Sequence, residues 1–265
     1  MKAPIGVIDS GVGGLTVAKE ILRLLPNEEI IYIGDTARCP YGPRSQEEVR
    51  KFTWQLATAL SKMNIKMLVI ACNTATAVAL NSLGKKMPFP VIGVIFPGAR
   101  AAIKATQKNG IVVLGTSGTI KSGAYENAIA ALNSSSKVIP LACPTFVPLV
   151  ESNEYEGEFA RNMVYDTLLP LKGEQFDTVI LGCTHYPLLQ KYIEEAVGNN
   201  VKVLSSGEET AQDVLEYLDY HRMHHPISGR KKPIFYTTGS VPIFKTIVEK
   251  WLELPSADVR TISFT

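Results

Sequence analysis

Two stretches decide the fold: Lys66-Met-Leu-Val-Ile-Ala-Cys72-Asn-Thr74 and Asp177-Thr-Val-Ile-Leu-Gly-Cys183-Thr-His185. Each carries a run of β-branched and long aliphatic residues without polar alternation, the pattern of a strand covered on both faces. Each run ends on a small residue and a cysteine, followed by amide or hydroxyl side chains and helix-compatible sequence. Doubly buried strands followed by helices build parallel α/β sheets, and ligands bind such sheets at the strands' carboxyl ends, where both cysteines fall. A thiol beside helix N-termini that favour negative charge is a candidate for activation. One buried cysteine is ordinary packing. Two in the same strand-end context point to a symmetric chemical task.

The same alternation extends over the rest of the chain. Strands are expected over 5–9, 30–34, 67–71, 91–94, 111–115, 138–141, 178–182, 201–204, 234–237 and 259–263. Between them lie amphipathic patterns such as 46–63, where Val49, Phe52, Leu56, Ala59 and Leu60 recur at helical spacing. The expected class is α/β, with mainly parallel sheets covered by helices. The halves echo one another: a strand ending in Asp9-Ser10 precedes Cys72, and one ending in Gly115-Thr116 precedes Cys183. Pro/Gly punctuation near 95 and Ser205-Ser206-Gly207 suggest boundaries. The expected division is a first α/β domain over 1–95 plus 207–265, carrying Cys72, and a second over 96–206, carrying Cys183. Across the gap between them the two cysteines could face each other.

Composition narrows the function classes. A net charge of +2 offers no nucleic-acid footprint, and the short run Gly229-Arg-Lys-Lys-Pro233 reads as a solvated loop. No stretch approaches the roughly eighteen apolar residues of a membrane span, and the N-terminus enters a strand without a signal-peptide pattern. A cytoplasmic protein with no membrane or nucleic-acid partner is expected, its four cysteines thiols rather than disulfides.

Several other segments could carry chemistry. Asp9-Ser-Gly-Val-Gly-Gly-Leu15 nearly forms a dinucleotide fingerprint, with Asp35 downstream, but Thr16 replaces the third glycine and a carboxylate opens the turn. Asp35-Thr-Ala-Arg-Cys-Pro-Tyr-Gly-Pro-Arg44 is dense in turn formers and suits a loop over a site, with Tyr41 and Gly42 offering an aromatic face, a hydroxyl and backbone groups. Leu114-Gly-Thr-Ser-Gly-Thr-Ile120 ends a strand with hydroxyls that could hold a carboxylate. Glu151 stands in an apolar stretch, and His185 lies two residues beyond Cys183, where an imidazole can assist a thiol. Cys39 and Cys143 adjoin prolines and read as structural. The residues leave three functions open: proton transfer by two thiols, a catalytic zinc held by Cys72, Cys183 and His185, or a non-enzymatic two-domain binding protein for an acidic amino acid. His221-Arg-Met-His-His225 reads as an exposed helix end.

The motifs Asp9-Ser-Gly-Val-Gly-Gly-Leu15, Cys39-Pro-Tyr-Gly42, Ala71-Cys-Asn-Thr-Ala75, Gly182-Cys-Thr-His-Tyr-Pro187 and Ser206-Gly207 together resemble the glutamate racemases of the cofactor-independent aspartate/glutamate racemase superfamily. The resemblance covers essentially the whole chain. It implies two similar α/β domains with glutamate in the cleft between them, no pyridoxal cofactor, no metal, and a homodimer. It implies that Cys72 deprotonates D-glutamate with help from Asp9, and Cys183 L-glutamate with help from His185 and Glu151. Ser10, Tyr41, Gly42, Asn73, Thr74, Thr116, Thr119 and Thr184 would hold the substrate, and Asp35 would tune the site. Arginine is the usual partner of a carboxylate, and Arg38, Arg44 and Arg100 are present without a place. Because D-glutamate is a peptidoglycan precursor, a role in cell-wall synthesis follows from the resemblance.

Overall fold

A computed structural model describes residues 1–226, 229 and 232–264. In chain order the first elements are β1 (Ile5–Asp9), α1 (Leu15–Leu24), β2 (Ile30–Gly34), α2 (Gln46–Ser61), β3 (Met67–Ile70), α3 (Asn73–Lys86), β4 (Val91–Gly93) and α4 (Ile95–Ala105). Then come β5 (Gly110–Gly115), α5 (Ser117–Lys121), α6 (Ala124–Leu132), β6 (Lys137–Ala142), α7 (Phe146–Glu151), α8 (Gly157–Leu168), β7 (Thr178–Gly182), α9 (Gln190–Val197) and β8 (Lys202–Ser205). The chain finishes with α10 (Ser206–Tyr220), β9 (Ile234–Thr237), α11 (Val241–Leu252) and β10 (Asp258–Thr261).

These strands form two sheets, one ordered β10-β9-β2-β1-β3-β4 and the other β6-β5-β7-β8, with every pairing parallel. The order β2-β1-β3-β4 repeats as β6-β5-β7-β8, so the echo between the halves is topological. In each sheet the chain steps to one side of its first strand and then crosses to the other. The switch points therefore lie between β1 and β3, and between β5 and β7. Open α/β sheets bind ligands at such points. Asp9 and Cys72 meet at the first, Thr116 and Cys183 at the second.

Period-two packing explains why the strands read as unbroken apolar runs. In β1, Ile5 and Val7 join a core with α1, α10 and α11, whereas Ile8 faces the α2 and α3 side. In the second sheet, Val112, Leu114, Val179 and Leu181 pack with α7, α8 and α9, while Ile111, Val113 and Ile180 face α4 and α6. Each fully buried aliphatic side chain contributes roughly 1.5–3 kcal/mol. At the opposite ends of the first sheet's strands, Lys66 is buried against Glu28 at 2.5 Å and donates to the Met223 carbonyl at 2.8 Å. His221 caps α10, and His224 pairs with Asp219 at 2.6 Å. Arg230 and Lys231, the centre of the basic run, lie outside the described residues. Among the described residues no helix is long and apolar enough to cross a membrane.

Candidate active site

Cys72 caps α3: its sulfur accepts from the Ala75 amide at 3.4 Å and it leaves β3 in extended conformation. The helix N-terminus places partial positive charge beside the sulfur. Burial is the stronger influence and, with Asp9 close by, pushes the thiol up to about 12, against the Ala75 amide and the Ser10 hydroxyl. Asp9 is also buried, which raises its carboxyl above the ordinary range. It accepts from the Gly11 amide at 3.0 Å and from the Thr184 hydroxyl at 3.4 Å. Both groups are shifted upward, so burial favours the protonated form of each.

Cys183 departs from the expectation of a following α-helix. Beyond β7 comes a turn, then a 3₁₀ segment (Tyr186–Leu189) with proline in its first turn, before α9 begins. Electrostatic support comes from a side chain instead. His185 Nδ1 lies 3.8 Å from the Cys183 sulfur, and its Nε2 lies 2.6 Å from Glu151 Oε1 at the end of α7. Burial opposes charge on the imidazole, but the hydrogen bonds to Cys183 and Glu151 outweigh it and bring His185 up to about 10. An imidazolium at that distance stabilises negative charge on sulfur. Among the described residues, no group of three or more His, Cys, Asp and Glu side chains is disposed to hold a metal ion.

Hydroxyls close the gap between the two switch points. Thr74 Oγ1 lies 2.9 Å from Thr116 Oγ1 and 3.1 Å from Thr119 Oγ1, and the last two are 3.1 Å apart. Thr116 caps α5 by accepting from the Thr119 amide. Asn73 Oδ1 accepts from Tyr125 at 2.7 Å, while its buried Nδ2 has no partner among the described residues. Such an orphan donor is costly unless something accepts from it. Thr16 donates to the Thr184 carbonyl at 3.0 Å, and the Gly118 amide to the Gly42 carbonyl at 2.9 Å, so both turns of the first sheet are tied to the second. A Cβ on Gly42 would come within 2.7 Å of Thr116 Cβ.

Several further residues have partners of their own. The Tyr41 hydroxyl donates to Asp35, and its ring packs on Phe52 in the α2 core. Asp35 is spent on Arg38, Tyr41 and Thr238, so it acts on the site only through this loop. The arginines are committed elsewhere: Arg38 stacks on Phe52 and pairs with Asp35, Arg44 binds the Arg38 carbonyl and Glu48, and Arg100 binds Asp213. Cys39, read as structural from its sequence, places its sulfur 3.7 Å from Glu151 Oε1. Tyr125 escaped sequence reading. Its only signal is a lone aromatic in the alanine-rich helix α6, where it is 1% exposed.

Paired α/β halves with a thiol at each switch point, one near Asp9 and the other beside His185, fit an isomerase of the racemase class. The Asp/Glu/Hydantoin racemase family model matches residues 5–214, and the chain belongs to that family. It is 67% identical over 263 residues to a glutamate racemase of Lysinibacillus sphaericus, covering 99% of each chain. A glutamate racemase isoform of Bacillus anthracis has a similar structure, with TM-score 0.96 at 48% identity over 100% of this chain and 99% of that one. A glutamate racemase of Francisella tularensis, solved in complex with D-glutamate, matches with TM-score 0.92 at 31% identity over 99% and 98%.

Proposed function

We propose that the chain interconverts L- and D-glutamate by proton transfer at Cα between two thiols, and that the D-glutamate supplies peptidoglycan synthesis. The observation that carries this reading is the placement of Cys72 and Cys183 at equivalent switch points with unlike partners, Asp9 for one and the His185–Glu151 pair for the other. Inversion needs one group to take the Cα proton from one face while another delivers a proton to the opposite face. In the L-to-D direction, the Cys183 thiolate takes the proton and forms an S–H bond. The electron pair of the broken C–H bond moves into the adjacent carboxylate, and the Cys72 thiol then gives its proton to the other face. Each turnover leaves Cys183 as the thiol and Cys72 as the thiolate, and exchange of one proton with solvent water on each side, beside His185 and Asp9, resets the pair. In the D-to-L direction the roles exchange.

The Thr74, Thr116 and Thr119 hydroxyls, the free Asn73 amide and the N-termini around them supply the donors for the substrate carboxylates, in place of arginine. Ser10, Thr184, Gly42 and the Tyr41 backbone complete the enclosure. We assign 1–95 plus 207–265 to the first domain and 96–206 to the second. Circular dichroism of L-glutamate and L-aspartate solutions with the enzyme tests the reading: glutamate loses its optical signal to zero while aspartate lags far behind. Faster loss with aspartate, or none with either, contradicts it.

A further inference from the structure

We propose that Cys39 is a positioning residue for the reaction: its thiol proton holds the Glu151 carboxylate, so that a loop of the first sheet sets the base serving Cys183 in the second. This rests on the two-thiol reading above. The Cys39 sulfur lies 3.7 Å from Glu151 Oε1, the same oxygen that lies 2.6 Å from His185 Nε2. Both groups press on the turn after β1, where a Cβ on Gly11 would come 2.9 Å from the Cys39 sulfur and 3.5 Å from Glu151 Oε1. The loop itself is anchored on either side of Cys39, by Tyr41 on Asp35 and by the Gly42 carbonyl on the Gly118 amide.

The titratable groups around this thiol are Glu151 on α7, Asp9 on β1, and Cys72 and Cys183 at the two switch points. His185 lies behind Glu151, and Lys250 lines the groove on its outer side. Burial first, then these acidic neighbours, hold Cys39 above the ordinary thiol range, which keeps it an S–H donor. A donor on Oε1 draws density from the carboxylate and fixes its direction, so Glu151 grips the imidazolium less tightly. Without it, Glu151 is free to turn, His185 keeps its proton to higher pH but is aimed less well at the Cys183 sulfur, and C–H cleavage by that sulfur becomes slower and more nearly rate-limiting.

Full-length Cys39→Ala and Cys39→Ser enzymes test this. Mirror-image substrates have equal free energy in water, so kcat/KM must match in both directions for every variant. The informative readouts are kcat against pH and the primary deuterium isotope effect from each enantiomer of 2-deuterated glutamate. Serine keeps a donor and stays within about twofold of the parent, whereas alanine lowers kcat roughly three- to tenfold. With alanine the alkaline limb moves upward, and the isotope effect rises from L-glutamate but not from D-glutamate. Cys39→Val fills the space without a donor and is compared with serine if the alanine chain fails to fold. Equal behaviour of serine and the donor-free variant, or an isotope effect that rises from both enantiomers, overturns the proposal. A parent enzyme that leaves Cα hydrogen unexchanged would instead refute the two-thiol reading.

Discussion

At Cys72 the sulfur is served by backbone, the end of α3, and at Cys183 by a side chain, the imidazolium of His185. The first support is fixed at all pH values, and the second is lost when the imidazole gives up its proton. On the two-thiol reading proposed above each thiol works for one enantiomer, so Cys72→Ser and Cys183→Ser should each lose racemisation by at least about a thousandfold. With a substrate carrying a β leaving group, each should still catalyse elimination from one enantiomer only; parent-like racemisation by either variant contradicts the assignment. The His185 partnership predicts a pH effect with a definite sign. Glu151 stabilises the imidazolium, so Glu151→Gln should move the alkaline limb of kcat down from near 10 toward neutrality, read from a rate–pH profile. The same pair contributes stability fully present below about 6.5 and lost as pH rises through about 10, because the folded imidazole binds its proton more tightly than the unfolded one.

The elements were legible where one physical signal ruled. β1, β2, β7 and β9 run over the stretches read from sequence, because uninterrupted or alternating apolar residues end there at a turn former or a polar side chain. β8 is displaced by one residue, since the Val201 amide closes a turn on the Gly198 carbonyl before pairing begins. β10 is shorter than its pattern, as an edge strand with mostly exposed side chains has little burial to hold its end. Cys39, Tyr125 and Arg100 could not be placed because their partners are distant in sequence: Glu151 for Cys39, Asn73 for Tyr125 and Asp213 for Arg100. The glycine turn after β1 makes its own prediction. A Cβ on Gly13 would strike Thr184 Oγ1 and His185 Nδ1 and come 2.6 Å from His185 Cε1, and Glu151 prevents the ring from yielding. Gly13→Ala should reduce kcat by about a hundredfold or more, while a thermal melt still shows cooperative unfolding. Near-parent kcat would mean the turn does not position His185.

Across the whole molecule, two copies of one strand order are joined so that their switch points face each other, and the first sheet also receives β9 and β10. The connection from α10 to β9 is held at the far end of the sheet by the buried Lys66–Glu28 pair, with Glu28 also accepting from the His225 amide at 2.8 Å. Lys66→Met should cost about 3–5 kcal/mol in a denaturant titration by leaving Glu28 buried without its cation, and should leave the active enzyme's isotope effects unchanged. A cost within experimental error would place that pair in a more hydrated setting. The central claim is that the proton is taken and delivered by different thiols across the closed gap. It is tested most directly by following L-glutamate with the parent enzyme in deuterium oxide at low conversion. The D-glutamate formed should carry deuterium at Cα while the remaining L-glutamate keeps protium, because a monoprotic thiol returns only the proton it took. Deuterium entering the L-glutamate pool as fast as D-glutamate appears would contradict the two-thiol account.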